Sequence, residues 1–255
     1  MKTYFVQKNS IVRQIWGKAD TVMFIFAGAA AEFALNKAVD WLYFTGKLPA
    51  DPLGRLFSTV NYAKLIVFAE EEAAIQAIQQ MNYIHTKVEE KRGFNIPDWA
   101  YRDVLFMLID YSIRAYESLE RKLTSKEKNE AFEVFNRVGK LMQIPELPNS
   151  FGDWEEQRKL QLQENFAYSK YTQDLFLQYK KHLGYFRYQL VLEAQTLMAP
   201  PPIKKLLNFR KHSLLKPIIP IYKLSQLVKA DVFLKALILP NAYKSEIKAL
   251  DRQPN

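Results

Sequence analysis

Three polar side chains in otherwise apolar stretches of this chain have types that support cofactor chemistry: Arg55, Thr59 and His85. Arg55 and Thr59 are four residues apart, so a helix places them on one face. His85 falls within residues 78–88, where apolar residues recur with helical spacing and put the imidazole on or beside a hydrophobic stripe. A buried imidazole that faces a guanidinium and a hydroxyl on a second helix can hold a metal-bearing cofactor in an apolar cavity.

His85 also has a purely structural interpretation, because a single histidine on an apolar helix face is more often a core residue than a ligand. The other two histidines, His182 and His212, each follow two basic residues and are predicted to face water. One imidazole is too few for a zinc or non-haem iron site built from several histidines. It is enough for haem, whose porphyrin supplies the other four ligands.

Arg55 and Thr59 likewise allow two interpretations. In the structural one, Arg55 is an exposed base and Thr59 bonds back to the helix backbone. In the functional one, Arg55 lies near a haem propionate or a polar oxygen intermediate, and Thr59 donates a hydrogen bond in the distal pocket. Two carboxylates also allow a structural and a catalytic interpretation. Asp110 is predicted to pair with Arg114 rather than to act in catalysis, and Asp40 to be a solvated helix end rather than a general base.

Composition excludes several classes of protein. The chain has no cysteine, which excludes disulfides, thiolate ligands, a nucleophilic cysteine and covalent haem attachment. It has no nucleophile-elbow, Walker, dinucleotide or zinc-protease motif, so hydrolase and nucleotide-binding functions find little support. With 49% hydrophobic and 25% charged residues, it resembles an ordinary globular protein.

The periodic segments predict an all-α fold, one single-domain, multi-helix bundle over residues 1–255. Residues 1–19 are predicted to be a surface lead-in whose apolar residues pack as one turn. Residues 203–255 form a basic C-terminal segment whose apolar side chains are predicted to pack on the body. The predicted helices are 20–43 capped by Asp20, 52–68 capped by Asp51, 70–90, 98–123, one opened by a capping box at 124–127 and ending near 142, 153–166 and 172–198.

Positive charge is concentrated in residues 203–255, where eleven Lys and Arg face three Asp and Glu, so +8 of the net +9 lies there. This segment can be a solvated face, contact anionic cofactor groups, or touch a membrane surface peripherally. A nucleic-acid partner is not predicted, because the cations do not follow one helix face. Residues 21–31 are too short to span a bilayer and the start lacks the apolar core of a signal peptide, so a cytoplasmic protein is predicted.

A series of short motifs occurs in a particular order along the chain. The motifs are Ala27-Gly-Ala-Ala-Ala31, Asp51-Pro-Leu-Gly-Arg55-x-x-x-Thr59, Val67-Phe-Ala-Glu-Glu-Glu-Ala-Ala74, Tyr83-Ile-His85-x-x-Val88, Arg114-Ala-Tyr-Glu117 and Leu123-Thr-x-x-Glu127. In this order and spacing, from about residue 12 to residue 240, the chain resembles the latex clearing proteins (rubber oxygenases) and the MpaB-type oxygenases of fungal meroterpenoid pathways.

The resemblance implies an all-helical fold around haem b and the use of dioxygen to cleave or oxidise isoprenoid chains. It places the proximal iron ligand at His85 and the important arginine and threonine of the preceding helix at Arg55 and Thr59. The implied partners are dioxygen and a small apolar substrate, an isoprenoid or a lipid; substrate identity and oligomeric state stay open. The alternative is a non-catalytic helical module that binds lipid or haem at a membrane surface.

The chain also departs from the family pattern. Rubber oxygenases have a lysine before the threonine, which can occupy the distal iron position, whereas this chain has Ser58. Their base-like glutamate has no clear equivalent, Asp40 being only nearby. A His-Pro after the first helix is replaced by Asn36-Lys37, and the tryptophan of a later helix is missing from residues 101–104. Cleavage of polyisoprene is therefore not expected to transfer intact, and an open or water-filled sixth iron position is predicted.

Overall fold

A computed structural model describes residues 3–46 and 50–227. In this part of the chain the regular structure is helical, with isolated bridges only at Tyr4–Glu70 and Asn36–Phe166, so the predicted all-α class is confirmed. The described helices are α1 (Ile11–Trp16), α2 (Ala19–Phe33), α3 (Asp40–Phe44), α4 (Pro52–Phe68), α5 (Glu71–Arg92), α6 (Asp98–Leu119), α7 (Ser125–Leu141), α8 (Phe151–Glu164), α9 (Lys170–Met198), α10 (Pro201–Leu206) and α11 (Ile219–Leu227).

Local capping signals set the starts of α4 and α7 where the sequence predicts them. The Asp51 carboxylate accepts a hydrogen bond from the Gly54 N–H at 2.8 Å, and Pro52 occupies the first helical position. Thr124 and Glu127 form the predicted capping box before α7. The starts of these helices can be predicted from the sequence because the groups that satisfy their free N–H donors are close by in the chain.

The predicted continuous helix over residues 20–43 is wrong. α2 ends at Phe33, and a turn follows in which the Asn36 side chain accepts from the Ala38 N–H at 2.8 Å and donates to Asp103 Oδ2 at 2.7 Å. Asp20 is not the N-cap of α2. It lies in the first turn, is buried, and accepts a hydrogen bond from the Tyr222 hydroxyl.

The segment predicted as a surface lead-in is instead part of the core. Its apolar residues do form one helical turn, α1, but they are almost completely buried, and Trp16 donates from Nε1 to Ser112 Oγ at 3.1 Å. The buried apolar residues of α1 are Ile11, Val12, Ile15 and Trp16.

The centre of the bundle is a close approach of α2 to α6 and α9. A Cβ added at Gly28 would lie 2.3 Å from the Tyr111 ring and 2.9 Å from the Met198 Cβ. Gly28 therefore permits α2 to lie against both neighbours. α9 bends at Gly184, which has a φ of +71°, so the helix predicted over 172–198 is two helical halves.

Beyond α9, the chain is only partly covered by the body. Ile203 is fully buried, but Leu214 and Ile218 are at least half exposed, so the prediction that the apolar residues of this segment are all buried is wrong for these two. The predicted segment continues to residue 255, and residues 228–255 lie outside the described part. None of the described helices is both long and apolar enough to cross a membrane, as predicted for residues 21–31.

A buried ionic network joins α2, α6 and α8. The Arg158 guanidinium donates to both oxygens of Glu32 at 2.6 and 2.7 Å and to Asp110 Oδ2 at 2.9 Å. The predicted pair of Asp110 with Arg114 is also present, at 2.6 Å, and Tyr111 donates to Glu32 at 2.7 Å. Burial, the largest influence, opposes ionisation of Asp110, but the two arginines outweigh it and hold the Asp110 pKa below its usual range.

We predict that Arg158→Met lowers the free energy of unfolding by about 3–5 kcal/mol, because it leaves the buried Glu32 carboxylate without its cation and Asp110 with Arg114 alone. The measurement is urea denaturation of the variant beside the wild-type protein. Arg121→Met is the matched control, since Arg121 makes an exposed ion pair with Glu127, and it should change stability little. Equal effects of the two substitutions would contradict the central role of the network.

Asp103 on α6 is a further buried carboxylate, and its hydrogen-bond donors are side-chain amides. Asn36 Nδ2 donates to one oxygen at 2.7 Å and Asn165 Nδ2 to the other at 2.9 Å. Burial raises the pKa of Asp103 to about 6, although the two amide donors act in the opposite direction. The carboxylate thus fixes the turn after α2 to the end of α8.

Because the folded protein holds the Asp103 proton more tightly than the unfolded chain, stability is predicted to fall as the pH rises from about 4 to about 6. The size expected from this group is on the order of 3 kcal/mol, at about 1.4 kcal/mol per pKa unit. Asp103→Asn should remove this slope, and the exposed Asp98→Asn on the same helix should retain it. Denaturation at several pH values measures both, and parallel curves for wild type and Asp103→Asn would refute the prediction.

Candidate functional site

The site is built on the helix pair α4 and α5, which are joined by residues 69 and 70 and pack on each other. Arg55 and Thr59 lie on α4 and His85 on α5. All three are half-buried. The structure brings Arg55 and His85 close enough for the guanidinium charge to act on the imidazole.

The surroundings of His85 favour its neutral form. Burial lowers the pKa of the imidazole, and the positive charge of Arg55 lowers it further, while the negative charge of Glu89 opposes both. The Nδ1 atom is buried and has no hydrogen-bond partner. A neutral imidazole with an unused buried nitrogen is the form that can bind a metal ion.

Tyr101 on α6 contacts His85. The two rings meet edge to face, with centroids 5.2 Å apart and an interplanar angle of 65°. The Tyr101 hydroxyl donates to Glu89 Oε1 at 3.0 Å, and the Ile96 N–H donates to the same oxygen at 2.8 Å. Glu89 therefore fixes both the tyrosine and the turn between α5 and α6, so that the imidazole rests against a ring that is itself held in place.

Arg55 is not the exposed base of the structural interpretation. Burial lowers its pKa, with a small opposing effect of Tyr62, and no carboxylate within the described ranges forms an ion pair with it. Thr59 does bond back to the backbone, because its hydroxyl donates to the Arg55 carbonyl oxygen at 3.2 Å. In this rotamer the hydroxyl can still accept a hydrogen bond, and its role as a distal donor stays a prediction.

Asp40, the other candidate catalytic residue, forms an ion pair with Arg92. Its carboxylate accepts a hydrogen bond from Arg92 at 2.6 Å, and the Arg92 guanidinium lies over the Trp41 ring at 4.0 Å from its centroid. Asp40 thus ties the start of α3 to the end of α5. Since a positive partner stabilises the carboxylate, this position suits an ion pair better than a general base.

The other features predicted around His85 are distributed as follows. Ser58, which replaces the family's lysine, is half-buried on α4. His212 is exposed, as predicted, and His182 is half-buried. Within residues 3–46 and 50–227, no group of three His, Asp or Glu side chains is placed to hold a metal ion, so a multi-ligand metal site is not present there.

A porphyrin-sized cavity beside His85 is not outlined by the described residues. The two best-defined depressions lie elsewhere. One, of about 260 Å³, includes Asn36, Asp40 and Tyr171, and the other, of about 460 Å³, is formed by residues near the start of the chain. The donor chemistry at His85 nevertheless fits a single metal ligand, because burial and Arg55 lower the pKa of the imidazole and its buried Nδ1 has no hydrogen-bond partner.

Sequence reasoning missed Glu89 and Tyr101 as neighbours of His85. Glu89 carried a signal, since it is four residues after His85 and shares its helix face. Tyr101 carried none, because its contact depends on how α6 packs against α5. Its position in the chain falls where the family's tryptophan is missing.

Residues 14–219 match the model of the family described as "ER-bound oxygenase mpaB/B'/Rubber oxygenase, catalytic domain". No match was found among curated proteins or among solved structures. The matched range covers α2 to α10 in full and includes every residue placed at the site above.

We predict that Arg55→Gln raises the pKa of His85, because it removes the positive charge that disfavours the imidazolium. The measurement is a pH titration of the histidine side chains by ¹H–¹⁵N NMR. Lys91→Gln is the matched control: it removes a charge from an exposed position on the same helix and should leave the His85 titration unchanged. A His85 pKa that is unchanged or lower in Arg55→Gln would show that the two groups are not neighbours.

Proposed function

The chain belongs to the family of mpaB-type and rubber oxygenase catalytic domains, and from this membership we propose that it is a haem b-dependent oxygenase acting on an apolar substrate, an isoprenoid or a lipid. Membership implies an oxygenase. The haem and the substrate class are our proposal. The observation that carries it is the half-buried His85, whose buried Nδ1 has no hydrogen-bond partner and whose pKa is lowered by burial and by the neighbouring, half-buried Arg55 guanidinium.

His85 is proposed as the axial ligand of the iron. Its lowered pKa keeps the imidazole unprotonated at neutral pH, so a lone pair is free for a metal without the loss of a proton. The edge contact with Tyr101 limits how the ring turns, and Glu89 in turn fixes Tyr101. Metal-binding histidines are usually oriented by a hydrogen bond from their second ring nitrogen, and in our proposal the Tyr101 ring contact takes that orienting role.

Arg55 is proposed to bind an anionic group, a haem propionate in the first instance. A half-buried guanidinium without a carboxylate partner among the described residues is costly, and an anion beside it restores the balance. Thr59, one turn away, can accept a hydrogen bond while its own proton is directed to the Arg55 carbonyl oxygen. In this proposal the two ligand-binding residues of α4, Arg55 and Thr59, lie on the helix that is paired with the His85 helix α5.

Bound haem supplies the activation of dioxygen for attack on an apolar carbon chain. The chain's own contribution is to orient the substrate, exclude water and tune the iron through His85. Ser58 is too short to reach a bound iron as the family's lysine can, so in our proposal no side chain would take the place of that lysine and dioxygen or water could bind there. Because the described residues outline no cavity beside His85, binding of haem is expected to rearrange the side chains between α4 and α5.

Protein produced with iron and a haem precursor is predicted to show a Soret band that is lost in His85→Ala. His212→Ala is the matched control, because His212 is exposed, and it should retain the band. The measurement is the absorption spectrum of each purified protein, and circular dichroism spectra equal to that of the wild type show that the variants are folded.

Arg55→Leu should weaken haem retention without abolishing it, since the propionate contact adds to the iron ligand. A colourless wild-type protein, or a Soret band that survives in His85→Ala, would disprove the proposed site. Haem binding without oxygen uptake on isoprenoid or lipid alkenes would favour the non-catalytic binding module.

A further inference from the structure

An exposed apolar surface lies at the end of the described chain, away from the site. Leu214 and Ile218, in the turn before α11, are 59% and 50% exposed, and Ile221, in the first turn of α11, is 70% exposed. We call these three residues the C-terminal apolar surface. Large aliphatic side chains that are exposed together mark an interaction surface more often than those exposed singly.

The segment that carries this surface is anchored to the body by its polar groups. Tyr222 donates to Asp20 on α2, and Lys223 Nζ donates to the Glu120 carbonyl oxygen at 2.9 Å. Upstream, Ser213 Oγ donates to the Glu193 carbonyl oxygen at 2.8 Å. The aliphatic side chains therefore remain exposed on a segment that is itself tied down on both sides.

The same segment is uniformly positive. Residues 201–223 contain six Lys and Arg and no Asp or Glu. Lys216 lies between Leu214 and Ile218 and is exposed, as is Lys211. Lys204 Nζ donates to the Lys211 carbonyl oxygen, which brings α10 next to this turn.

The pKa of Lys204 supports this gathering of charge. Burial lowers it first, and the positive charges of Arg114 and Lys216 lower it further, which shows that cations from α6, α10 and the turn before α11 lie close together. Clustered cations of this kind are stabilised by an anionic partner.

We propose that the C-terminal apolar surface, with the lysines around it, docks this protein peripherally on a bilayer that contains anionic phospholipid. The aliphatic side chains enter the boundary between headgroups and acyl chains, and Lys211 and Lys216 reach the lipid phosphates. A nucleic acid would use the cations but leave the aliphatic residues exposed to water. A membrane surface uses both, which is why we commit to it.

The test is sedimentation of the full chain with two kinds of vesicle, phosphatidylcholine alone and phosphatidylcholine mixed with phosphatidylserine. Binding is expected only to the mixed vesicles and should weaken as salt is added. Ile218→Ser with Ile221→Ser should weaken binding about tenfold by removing buried apolar area. Lys211→Gln with Lys216→Gln should weaken it about fivefold for each lysine.

Matched controls come from exposed residues of the same types elsewhere on the surface. Leu160→Ser with Leu177→Ser, and Lys126→Gln with Lys140→Gln, should bind as the wild type does. No binding to either vesicle, or equal binding by all variants, would overturn the proposal. The proposal would also be overturned if the wild-type protein self-associates and Ile218→Ser with Ile221→Ser abolishes that association, because the C-terminal apolar surface would then join two copies of the chain. The assay needs no haem, so its outcome is separate from that of the proposed function.

Discussion

The fold depends on one buried guanidinium. Arg158 on α8 reaches the Glu32 carboxylate of α2 and the Asp110 carboxylate of α6, and all three side chains are removed from water. Charges in such a place are tolerated only when they are paired and hydrogen-bonded, so the three helices have a single relative arrangement in which the network is complete. Gly28 lies next to this network. Its lack of a side chain allows α2 to approach the ring of Tyr111, whose hydroxyl also donates to Glu32.

The helix pair that carries His85 is connected to this centre through contacts rather than through the network. Tyr101 is one of these contacts, since it lies on α6, two residues before Asp103, and its ring contacts the imidazole on α5. Asp103 is fixed by Asn36 and Asn165, so α6 is held by carboxylates at two levels, Asp103 and Asp110. The ring against which the imidazole rests is thus positioned by how α6 is seated in the bundle, while the helix pair itself also packs on α1, α2, α7 and α9.

What the sequence could predict was set by interactions between near neighbours. The caps at Asp51 and Thr124 and the pair of Asp110 with Arg114 all join residues within four positions, and each was predicted correctly. The turn at Asn36 was missed because its side chain is bound by Asp103, which is distant in the chain. The burial of α1 and the third member of the ionic network, Arg158, were missed for the same reason: both depend on long-range packing, which the local sequence pattern does not indicate.

At the site, the closeness of Arg55 to His85 agrees with their predicted placement on facing helices, whereas the predicted cavity is not outlined by the described residues.

A comparison of Arg55 with Arg158 supports the proposal that Arg55 binds a ligand. Arg158 is surrounded by two carboxylates, and its charge is balanced within the protein. Arg55 is partly desolvated too, which lowers its pKa, but no carboxylate among the described residues forms an ion pair with it. The desolvation of this guanidinium is therefore not offset by an opposite charge from the described part of the protein. An anionic group that arrives from outside, next to a neutral imidazole with an unused nitrogen, satisfies both residues at once, and a porphyrin with its propionates and its iron offers both functions in one molecule.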